Sequence, residues 1–409
     1  MFDIGVAAAD PGNAVRQCLA RDFAERPHPF SCIIAVGKAA RSMAAAAMEA
    51  KAARFGAPVI VITNAGNTSA LPGARVFAAG HPVPDENGLA ATRTLLKLLT
   101  KLGARDHVLV LISGGASAML PAPAGALSFS DEVETGKLLL ASGADITAMN
   151  IVRQQISRTK GGGLARAAAP ARVTGMILSD VVGDDLRIIG SGPTSEPAGT
   201  PGDALEILST FGILHRVSPQ VLHHLQTATT SLAVPECDNR LIGSNALSLA
   251  AIKAARPHGT LIVTPLTGDV SEAARRIAGD HAASNASLMI WGGETTVTVR
   301  GAGKGGRNQE LCLRLAMKAE RAAWKHAWCF LSGGTDGRDG PTDAAGGLVD
   351  GCTLRRIRDA GMSPQGLLMA NDSYHALQAS GDLLKTGATG TNVADIQMLL
   401  IHRDQTGNA

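Results

Sequence analysis

The amino-acid sequence predicts an α/β protein with two domains. Short apolar strands alternate with helices along most of the 409 residues, which is typical of a largely parallel sheet covered by helices. Several of these strands end directly in glycine-rich, polar loops. The 47 glycines and the hydrophobic content of 45% suit close packing of helices on sheets and provide enough apolar surface for more than one core.

The stretch 227–240 loses the periodicity of helix and strand and predicts the domain boundary. We therefore expect an N-terminal domain at residues 1–235 and a C-terminal domain at residues 236–409. The N-terminal strands are apolar throughout, which favours a mostly parallel sheet. Residues 295–299 alternate between polar and apolar, as a half-exposed antiparallel strand does, so the C-terminal domain is expected to contain a mixed sheet.

Composition excludes several classes of function. A net charge of +3, a single tyrosine and 3% aromatic residues give no basis for nucleic-acid binding or attachment to an anionic membrane. The sequence contains neither a signal-peptide pattern nor an apolar run long enough to span a bilayer. Its six cysteines are scattered, without zinc spacing, and are expected to be reduced. We expect a cytoplasmic protein.

The first candidate site residue follows the first apolar strand, at 31–36, which comes after a helix predicted over 13–25. Gly37 and Lys38 stand where this strand gives way to an alanine-rich helix extending to about Arg54. Exposed N–H groups and the positive helix end attract phosphates at such positions. Lys38 is therefore a candidate phosphate-binding residue, with a solvated lysine at a helix start as the alternative.

Strands are next predicted at 58–63 and 75–79, followed by a helix that Asp85 or Asn87 caps. The loop between the strand at 75–79 and this helix contains His81 next to a proline. We interpret this histidine as structural rather than substrate-binding.

A buried strand at 108–112 ends in Ser113-Gly114-Gly115-Ala116-Ser117. Small residues after a strand can form a nest of backbone N–H groups that binds an anion. Ligands of open α/β sheets bind beyond the carboxyl ends of the strands. Ser113, Gly114, Gly115 and Ser117 are therefore candidates for binding cofactor phosphates.

Helices are predicted at 129–141 and 146–160, and the second carries Arg153, Arg158 and Lys160 just before three glycines. These cations could clamp a phosphate or a carboxylate. The alternative, a basic helix end capped by glycine, is equally consistent with the sequence. A strand at 174–178 then leads to Asp180, at a position suited to a general base or a Mg²⁺ ligand.

Beyond the boundary, helices are predicted at 245–256 and 270–283, with strands at 260–263 and 288–291. Residues 301–306 formally match the Gly-x-Gly-x-x-Gly dinucleotide fingerprint, but neither the preceding strand nor the following one fits that motif. We interpret the segment as a flexible loop that delivers Arg307 to the start of a helix over 308–320.

A strand at 328–331 opens into a loop rich in glycine and aspartate, residues 332–346. Glycines such as Gly333 and Gly334 allow a ligand close to the backbone, and Asp336 and Asp339 offer the oxygen ligands that Mg²⁺ prefers. The layout is that of a phosphate and metal site, and a long surface turn is the alternative. Helices at 351–361 and 373–384 and a strand at 395–401 complete the chain.

Motifs in one order over almost the whole chain resemble those of the glycerate 2-kinases that carry a MOFRL domain at the C-terminus. They are Ala35-Val-Gly-Lys-Ala-Ala, Ile112-Ser-Gly-Gly-Ala-Ser, Ser157-Arg-Thr-Lys-Gly-Gly-Gly-Leu-Ala, Gly190-Ser-Gly-Pro-Thr, Gly292-Gly-Glu-Thr-Thr-Val, Gly305-Gly-Arg-Asn-Gln-Glu and Ser332-Gly-Gly-Thr-Asp-Gly. The resemblance implies a Rossmann-like N-terminal domain, a second α/β domain and an active site in the cleft between them. It also implies phosphorylation of D-glycerate at its 2-hydroxyl by ATP, with a divalent metal.

The resemblance implies a catalytic lysine at Lys38 and a catalytic arginine at Arg307, with Arg338 as the alternative. We expect the 113–117 nest, the glycines of the 332–337 loop and Lys160 to bind ATP. Mg²⁺ would be held by Asp180, Asp336 and Asp339, singly or together, and Asp180 or Asp336 would accept the proton of the hydroxyl.

Two other functions are compatible with the sequence: an NAD(P)H-dependent hydroxypyruvate reductase, a name also given to members of the family, and a ligand-binding protein without catalysis. The partners expected are D-glycerate and ATP, without nucleic acid or membrane. Both a monomer and a homodimer are compatible with the sequence.

Overall fold

The computed structural model describes residues 1–25, 29–228 and 233–402. The chain divides into two compact units, an N-terminal unit of Pro11–Ile242 and a C-terminal unit of Met1–Asp10 with Gly243–Ala409. This division differs from the predicted boundary at 235/236 in two respects: the chain changes unit seven residues later, and its first ten residues belong to the C-terminal unit. Residues 229–232 of the predicted boundary stretch lie outside the described residues.

The helices and strands are identified here in chain order. The helices are α1 (Phe2–Ala8), α2 (Pro11–Glu25), α3 (Ala40–Glu49), α4 (Glu86–Leu99), α5 (Ala116–Met119), α6 (Phe129–Ala141), α7 (Ile146–Gln155), α8 (Gly163–Ala168), α9 (Pro201–Thr210), α10 (Pro219–Thr227), α11 (Asn245–Ala255), α12 (Val270–Ala283), α13 (Arg307–Arg321), α14 (Thr353–Asp359), α15 (Pro364–Met369) and α16 (Ser373–Ser380). The strands are β1 (Cys32–Val36), β2 (Val59–Asn64), β3 (Arg75–Ala79), β4 (His107–Ile112), β5 (Arg172–Leu178), β6 (Asp238–Gly243), β7 (Thr260–Leu261), β8 (Leu266–Asp269), β9 (Leu288–Thr296), β10 (Ala327–Gly334), β11 (Gly346–Asp350), β12 (Leu383–Leu384) and β13 (Asp395–His402).

The sheet of the N-terminal unit has the strand order β3-β2-β1-β4-β5-β6 among the described residues. Strands β1 to β5 pair in parallel, which confirms the predicted α/β fold. All five residues of β1 are buried, because helices cover both faces of such a sheet. The strand order reverses between β1 and β4, so the loops after these two strands flank the crevice in which doubly wound sheets bind ligands.

Several helices of the N-terminal unit pack on one another rather than directly on the sheet. Leucine, isoleucine and valine side chains from α6, α7, α9 and α10 form this second apolar cluster. Residues 146–160 were predicted as one helix, but α7 ends at Gln155. The chain then turns, and Gly161 and Gly162 adopt positive φ, a conformation that favours glycine.

The C-terminal unit contains a mixed sheet with the order β12-β11-β10-β13-β9-β7, and β8 pairs with β9. Strand β10 pairs antiparallel with β11 and β13, while β9 runs parallel to β7 and β8. The separate antiparallel strand predicted at 295–299 is wrong in this respect. Thr295 and Thr296 continue β9 and pair in parallel with β8.

Helix α13 lies in the core of the C-terminal unit, with Leu311, Cys312, Leu313 and Leu315 fully enclosed. It packs against β10 and β11 and against α12 and α16. Strand β11 was not predicted, because Gly346 and Gly347 have low strand propensity. Both glycines are buried, and a side chain at Gly347 would meet Cys312 and Leu377.

The first ten residues join the C-terminal unit through α1, which packs on α11. Phe2 is 4% exposed and lies in a cluster with Leu249, Ile252 and Ile396. A Cβ added at Gly5 would stand 2.6 Å from the Ile396 side chain, so glycine lets the helix approach the sheet. In the described part of the chain, no helix is long and apolar enough to cross a membrane. The six cysteines are free.

Candidate functional site

The loops after β1 and β4 are bound to each other at the point where the strand order reverses. The backbone N–H of Lys38 donates to the Gly114 carbonyl at 2.9 Å, and the N–H of Ala39 donates to the Ser113 hydroxyl at 3.1 Å. Gly37 has a φ of +119°, and a Cβ there would lie 2.4 Å from the Ser113 carbonyl oxygen. The Gly-Lys turn is thus held in place, and the Ser113 side chain serves to hold it.

The Gly114-Gly115 segment brings Asp180 and His81 together with this turn. A Cβ at Gly114 would lie 2.1 Å from a carboxylate oxygen of Asp180, and a Cβ at Gly115 would lie 2.8 Å from the His81 ring. Both side chains therefore pack directly on glycine backbone. Within the described residues, neither N–H of this glycine pair donates to a protein acceptor, so both can bind a ligand oxygen.

The electrostatics of Lys38, His81 and Asp180 are coupled. Desolvation raises the pKa of Asp180, opposed by a hydrogen bond from its own backbone N–H and by the charge of Lys38. Desolvation also lowers the pKa of His81, and the Lys38 charge lowers it further. The Lys38 side chain is exposed. The sequence-based interpretation of His81 as a purely structural residue missed this placement. The sequence feature that could have indicated this placement is the position of His81 in the loop after β3.

Ser117, another predicted cofactor-binding residue, is oriented by a hydrogen-bonded network. Its hydroxyl lies 2.7 Å from that of Ser191, and Ser191 donates to the Asn150 side-chain oxygen at 2.5 Å. The network leaves the remaining hydrogen-bonding capacity of Ser117 available to a ligand.

Lys160, in contrast, has a structural environment that does not support the predicted contact with ATP. Its ammonium group lies 2.7 Å from Glu132, and the two side chains are only 3% and 5% exposed. Its other bonds go to the Leu120 carbonyl and the Ser157 hydroxyl. The ammonium group is therefore used by partners within the fold, and leaving Glu132 without it would be costly. Helical spacing could not reveal the pairing with Glu132, which lies 28 residues away.

Gly333 and Gly334 are not in a phosphate-binding loop. Both belong to β10, where Gly333 pairs with Gly346 and Ile396, and the Gly334 N–H donates to the Ala345 carbonyl at 2.8 Å. The sheet therefore already uses the backbone groups that were expected to bind phosphate. The strand is longer than predicted because β13 and β11 pair with it on both sides.

Asp339, a predicted Mg²⁺ ligand, caps the N-terminus of helix α13. Its carboxylate accepts the backbone N–H groups of Asn308 and Gln309 at 3.1 and 2.9 Å and the Gln309 side-chain amide at 2.9 Å. Aspartate is a preferred acceptor at a helix N-terminus. Asp339 is 3% exposed, and burial raises its pKa to about 6. These bonds leave little capacity for the predicted Mg²⁺.

Asp336 is half-buried, and one of its oxygens accepts the Arg338 N–H at 2.9 Å. Asp343 accepts hydrogen bonds from Tyr374 and Lys385, consistent with a role in shaping the loop. Over the described residues, no group of three or more His, Cys, Asp or Glu side chains could hold a metal ion.

Arg307 is fixed by two acidic residues of the C-terminal unit. Its guanidinium forms a bidentate pair with Asp395, Nε to Oδ2 at 2.6 Å and Nη2 to Oδ1 at 2.9 Å, and Nη1 lies 2.9 Å from Glu294. Asp395 is 0% exposed. Side-chain hydrogen bonding and the charges of these partners raise the pKa of Arg307 against the effect of desolvation. Arg338, the alternative catalytic arginine, is exposed.

The glycine-rich segment 301–306 is anchored rather than flexible. The Asn371 side-chain oxygen accepts the N–H groups of Arg300 and Gly301, and the Gly303 N–H donates to the Ala370 carbonyl at 2.8 Å. A Cβ at Gly303 would lie 2.5 Å from that carbonyl oxygen. These contacts explain the glycine spacing without a dinucleotide.

Comparisons with known proteins agree with this architecture. A domain of unknown function, DUF4147, matches residues 1–226, and the MOFRL family matches residues 287–395. The chain is 38% identical to the D-glycerate 2-kinase of Thermotoga maritima, with 97% of this chain and 95% of that protein covered. It is 37% identical to the glycerate 2-kinase of Pyrococcus horikoshii over 90% of this chain and 87% of the relative.

The mouse glycerate kinase is 34% identical, with 98% of this chain and 92% of that protein covered. The crystal structure of glycerate kinase from Thermotoga maritima superimposes with a TM-score of 0.86 and covers 98% of both chains. These matches extend over both units of the chain. This protein belongs to the glycerate kinase family in which a DUF4147 domain is followed by a MOFRL domain.

Proposed function

We propose that this protein is an ATP-dependent kinase that phosphorylates D-glycerate at its 2-hydroxyl, giving 2-phosphoglycerate and ADP. The observation that carries the proposal is the group formed by Lys38, His81, Asp180 and the Gly114-Gly115 backbone at the carboxyl ends of parallel strands. Relatives that match nearly the whole chain are named glycerate 2-kinases.

Phosphoryl transfer depends chiefly on positioning and on stabilisation of charge. The N–H groups of Gly114 and Gly115 and the ammonium of Lys38 would bind phosphate oxygens of ATP and stabilise charge as the γ-phosphoryl group moves. The 2-hydroxyl oxygen forms a bond to the γ-phosphorus, and the bond from that phosphorus to the bridging oxygen of ADP breaks. Asp180 accepts the hydroxyl proton, because its raised pKa makes it a stronger base than an exposed carboxylate.

The residues present fit the Mg²⁺ expected for such a reaction. Mg²⁺ is usually held by one or two carboxylates together with substrate phosphates, rather than by a cage of protein ligands. Asp180 and Asp336 each offer a carboxylate with unused lone pairs, whereas Asp339 is occupied by the start of α13. The ion would neutralise phosphate charge when bound.

Arg307 remains our candidate for the second catalytic cation, and a site in a cleft between the domains remains a prediction. The pair with Asp395 would hold the guanidinium in a fixed orientation before substrate binds, which is the preorganisation that charge stabilisation requires. A cytoplasmic location and the choice between monomer and homodimer are likewise predictions from the sequence.

A coupled assay tests the proposal. The purified protein should form ADP from ATP only when D-glycerate is added, and the phosphorus NMR spectrum of the product should identify the 2-phosphate rather than the 3-phosphate. Oxidation of NADPH by hydroxypyruvate, without glycerate-dependent ADP formation, would instead support the reductase. We do not favour that alternative, because a reductase needs a dinucleotide-binding fingerprint. Within residues 1–25, 29–228 and 233–402, the one match to that fingerprint is the segment 301–306. Its glycines pack against residues 339 and 370–373.

A further inference from the structure

A small cavity in the N-terminal unit lies beside the Lys38 site and has no role in the reaction as described so far. Its volume is about 80 Å³, and its walls include Pro82, Val83, Ser117, Leu140 and Arg153. Pro82 follows His81 in the chain, and Ser117 comes two residues after Gly115. Because His81 packs on Gly115, the cavity adjoins the place where the reacting groups would meet.

One of the charged groups that line this cavity is the guanidinium of Arg153, on α7. The residue is half-buried, and within the described residues its side chain forms no hydrogen bond and no ion pair. Desolvation lowers the pKa of Arg153, and the charge of Glu132 opposes this effect. With no acceptor from the protein, the guanidinium keeps its hydrogen-bonding capacity for a ligand.

The neighbouring charges do not provide that acceptor. Both oxygens of Glu132 accept from other groups, one from Lys160 at 2.7 Å and the other from the Ala122 N–H at 3.0 Å. Lys137, also in the wall, pairs with Glu134 outside it. With Lys160 paired to Glu132 and Lys137 paired to Glu134, Arg153 is the charged residue of this lining that has no ion-pair partner in the described residues, and its positive charge suits an anion.

We propose that Arg153 binds the carboxylate of the hydroxy-acid substrate in this cavity, with Ser117 beside it, and so sets specificity for small 2-hydroxy acids. This inference rests on the proposed function. The planar guanidinium matches a carboxylate through two parallel hydrogen bonds. The hydroxyl to be phosphorylated is on the carbon next to that carboxylate, so a carboxylate held here keeps the hydroxyl within the adjoining site.

The size of the cavity favours a small hydroxy acid over a nucleotide as its ligand. Pockets for drug-sized ligands start at about 300 Å³, and a cavity of about 80 Å³ suits a three-carbon acid but not adenosine. The apolar wall of Pro82, Val83 and Leu140 would lie against the carbon chain of the acid. It would offer no hydrogen-bond partner to an acid that carries additional polar groups.

Steady-state kinetics of Arg153→Gln test the assignment. Loss of a bidentate charge-assisted pair should raise KM for D-glycerate by about 10- to 100-fold, while KM for ATP stays unchanged. Arg153→Lys should give an intermediate KM, because it retains the charge without the fork. The melting temperature of Arg153→Gln should equal or exceed that of the wild type, since a desolvated cation is removed. A purely structural arginine would give a lower one.

Arg172→Gln is the matched control, because this exposed arginine begins β5 at the end of the sheet opposite the site. It should leave both KM values unchanged. An unchanged KM for glycerate in Arg153→Gln, or a rise in KM for ATP alone, would overturn the inference. If Arg153→Gln does not fold, the KM of Arg153→Lys decides in the same way. A wild-type protein without glycerate-dependent ADP formation would instead refute the proposed function itself.

Discussion

At the residue scale, the chemistry of the N-terminal unit depends on how one cation acts on two neighbours. Desolvation raises the pKa of Asp180 and lowers that of His81, and the Lys38 charge lowers both. Lys38 therefore opposes the rise in the pKa of Asp180 and adds to the fall in the pKa of His81. An ionised carboxylate and a neutral imidazole can each accept a proton, so the group is suited to removing one from a substrate hydroxyl.

The pH dependence of Asp180→Asn tests the role of this carboxylate. We expect kcat to fall by about 10²- to 10⁴-fold, the usual contribution of a general base. In the wild type, kcat/KM should decline as pH falls through the raised pKa of Asp180, and this acid limb should be absent from the residual activity of the variant. Because the folded-state pKa is raised, the ionised group reduces stability at neutral pH, so the variant should not melt earlier.

Asp184→Asn is a suitable control on the same loop. Asp184 has a φ of +55°, which asparagine tolerates well, and this variant should keep its activity and its pH profile. An acid limb that persists in Asp180→Asn would show that another group is the base, with His81 as the first candidate.

Arg307 illustrates why loss of activity alone does not identify a catalytic residue. We expect Arg307→Met to lower the free energy of unfolding by about 3–5 kcal/mol, because it leaves the fully buried Asp395 without its cation. Adding Asp395→Asn should restore part of this loss. Tryptophan fluorescence during urea unfolding reports the change, since Trp291, Trp324 and Trp328 all lie in the C-terminal unit.

The double variant Arg307→Met/Asp395→Asn then isolates the chemical role in a folded protein. Low kcat in a protein of near-normal stability would support catalysis by Arg307. A cost of less than about 1 kcal/mol for Arg307→Met would contradict the view that this pair stabilises the unit.

At the scale of the elements, the sequence predicted strands and helices well wherever a local pattern determines them. The apolar runs at β1 and β4 and the capping signal of Asp85, which accepts the Gly88 N–H, are local. The roles of Gly333, Gly334 and Lys160 depend on partners far along the chain, such as Ile396 and Glu132. A glycine beside a ligand and a glycine against another backbone look alike in sequence. The sequence therefore predicted phosphate binding at 332–337, where the sheet uses the backbone of Gly333 and Gly334, as well as at Lys38, where the role stays a prediction.

The anchored glycine segment before α13 gives a test at this scale. Gly303→Ala should cost about 1–3 kcal/mol of unfolding free energy, because its Cβ would meet the Ala370 carbonyl oxygen at 2.5 Å and the backbone has little freedom to move away. Gly279→Ala, within α12, has no atom within 4 Å of the new Cβ. It should stabilise the protein by about 0.5–1 kcal/mol. Urea unfolding of both variants provides the comparison, and equal effects would contradict the packing explanation.

At the scale of the whole molecule, the two units do not simply follow each other along the chain. Residues 1–10 belong with residues 243–409, so the N-terminal unit is inserted between two parts of the C-terminal unit. The sequence could not reveal this, because α1 has only 7 residues and its partners in α11 and β13 lie more than 200 positions away. A boundary drawn from local composition necessarily assigned residue 1 to the first domain.

Phe2→Ala tests whether this terminal helix stabilises the C-terminal unit. The side chain is 4% exposed and packs with Leu249, Ile252 and Ile396, so its removal should cost about 3–5 kcal/mol. The loss should be visible in the tryptophan fluorescence of the C-terminal unit during urea unfolding. Phe55→Ala is the matched control, because Phe55 is fully exposed and should leave the midpoint unchanged. If both variants unfold at the wild-type midpoint, the helix contributes nothing to the stability of that unit, and the assignment of residues 1–10 to it has no energetic meaning.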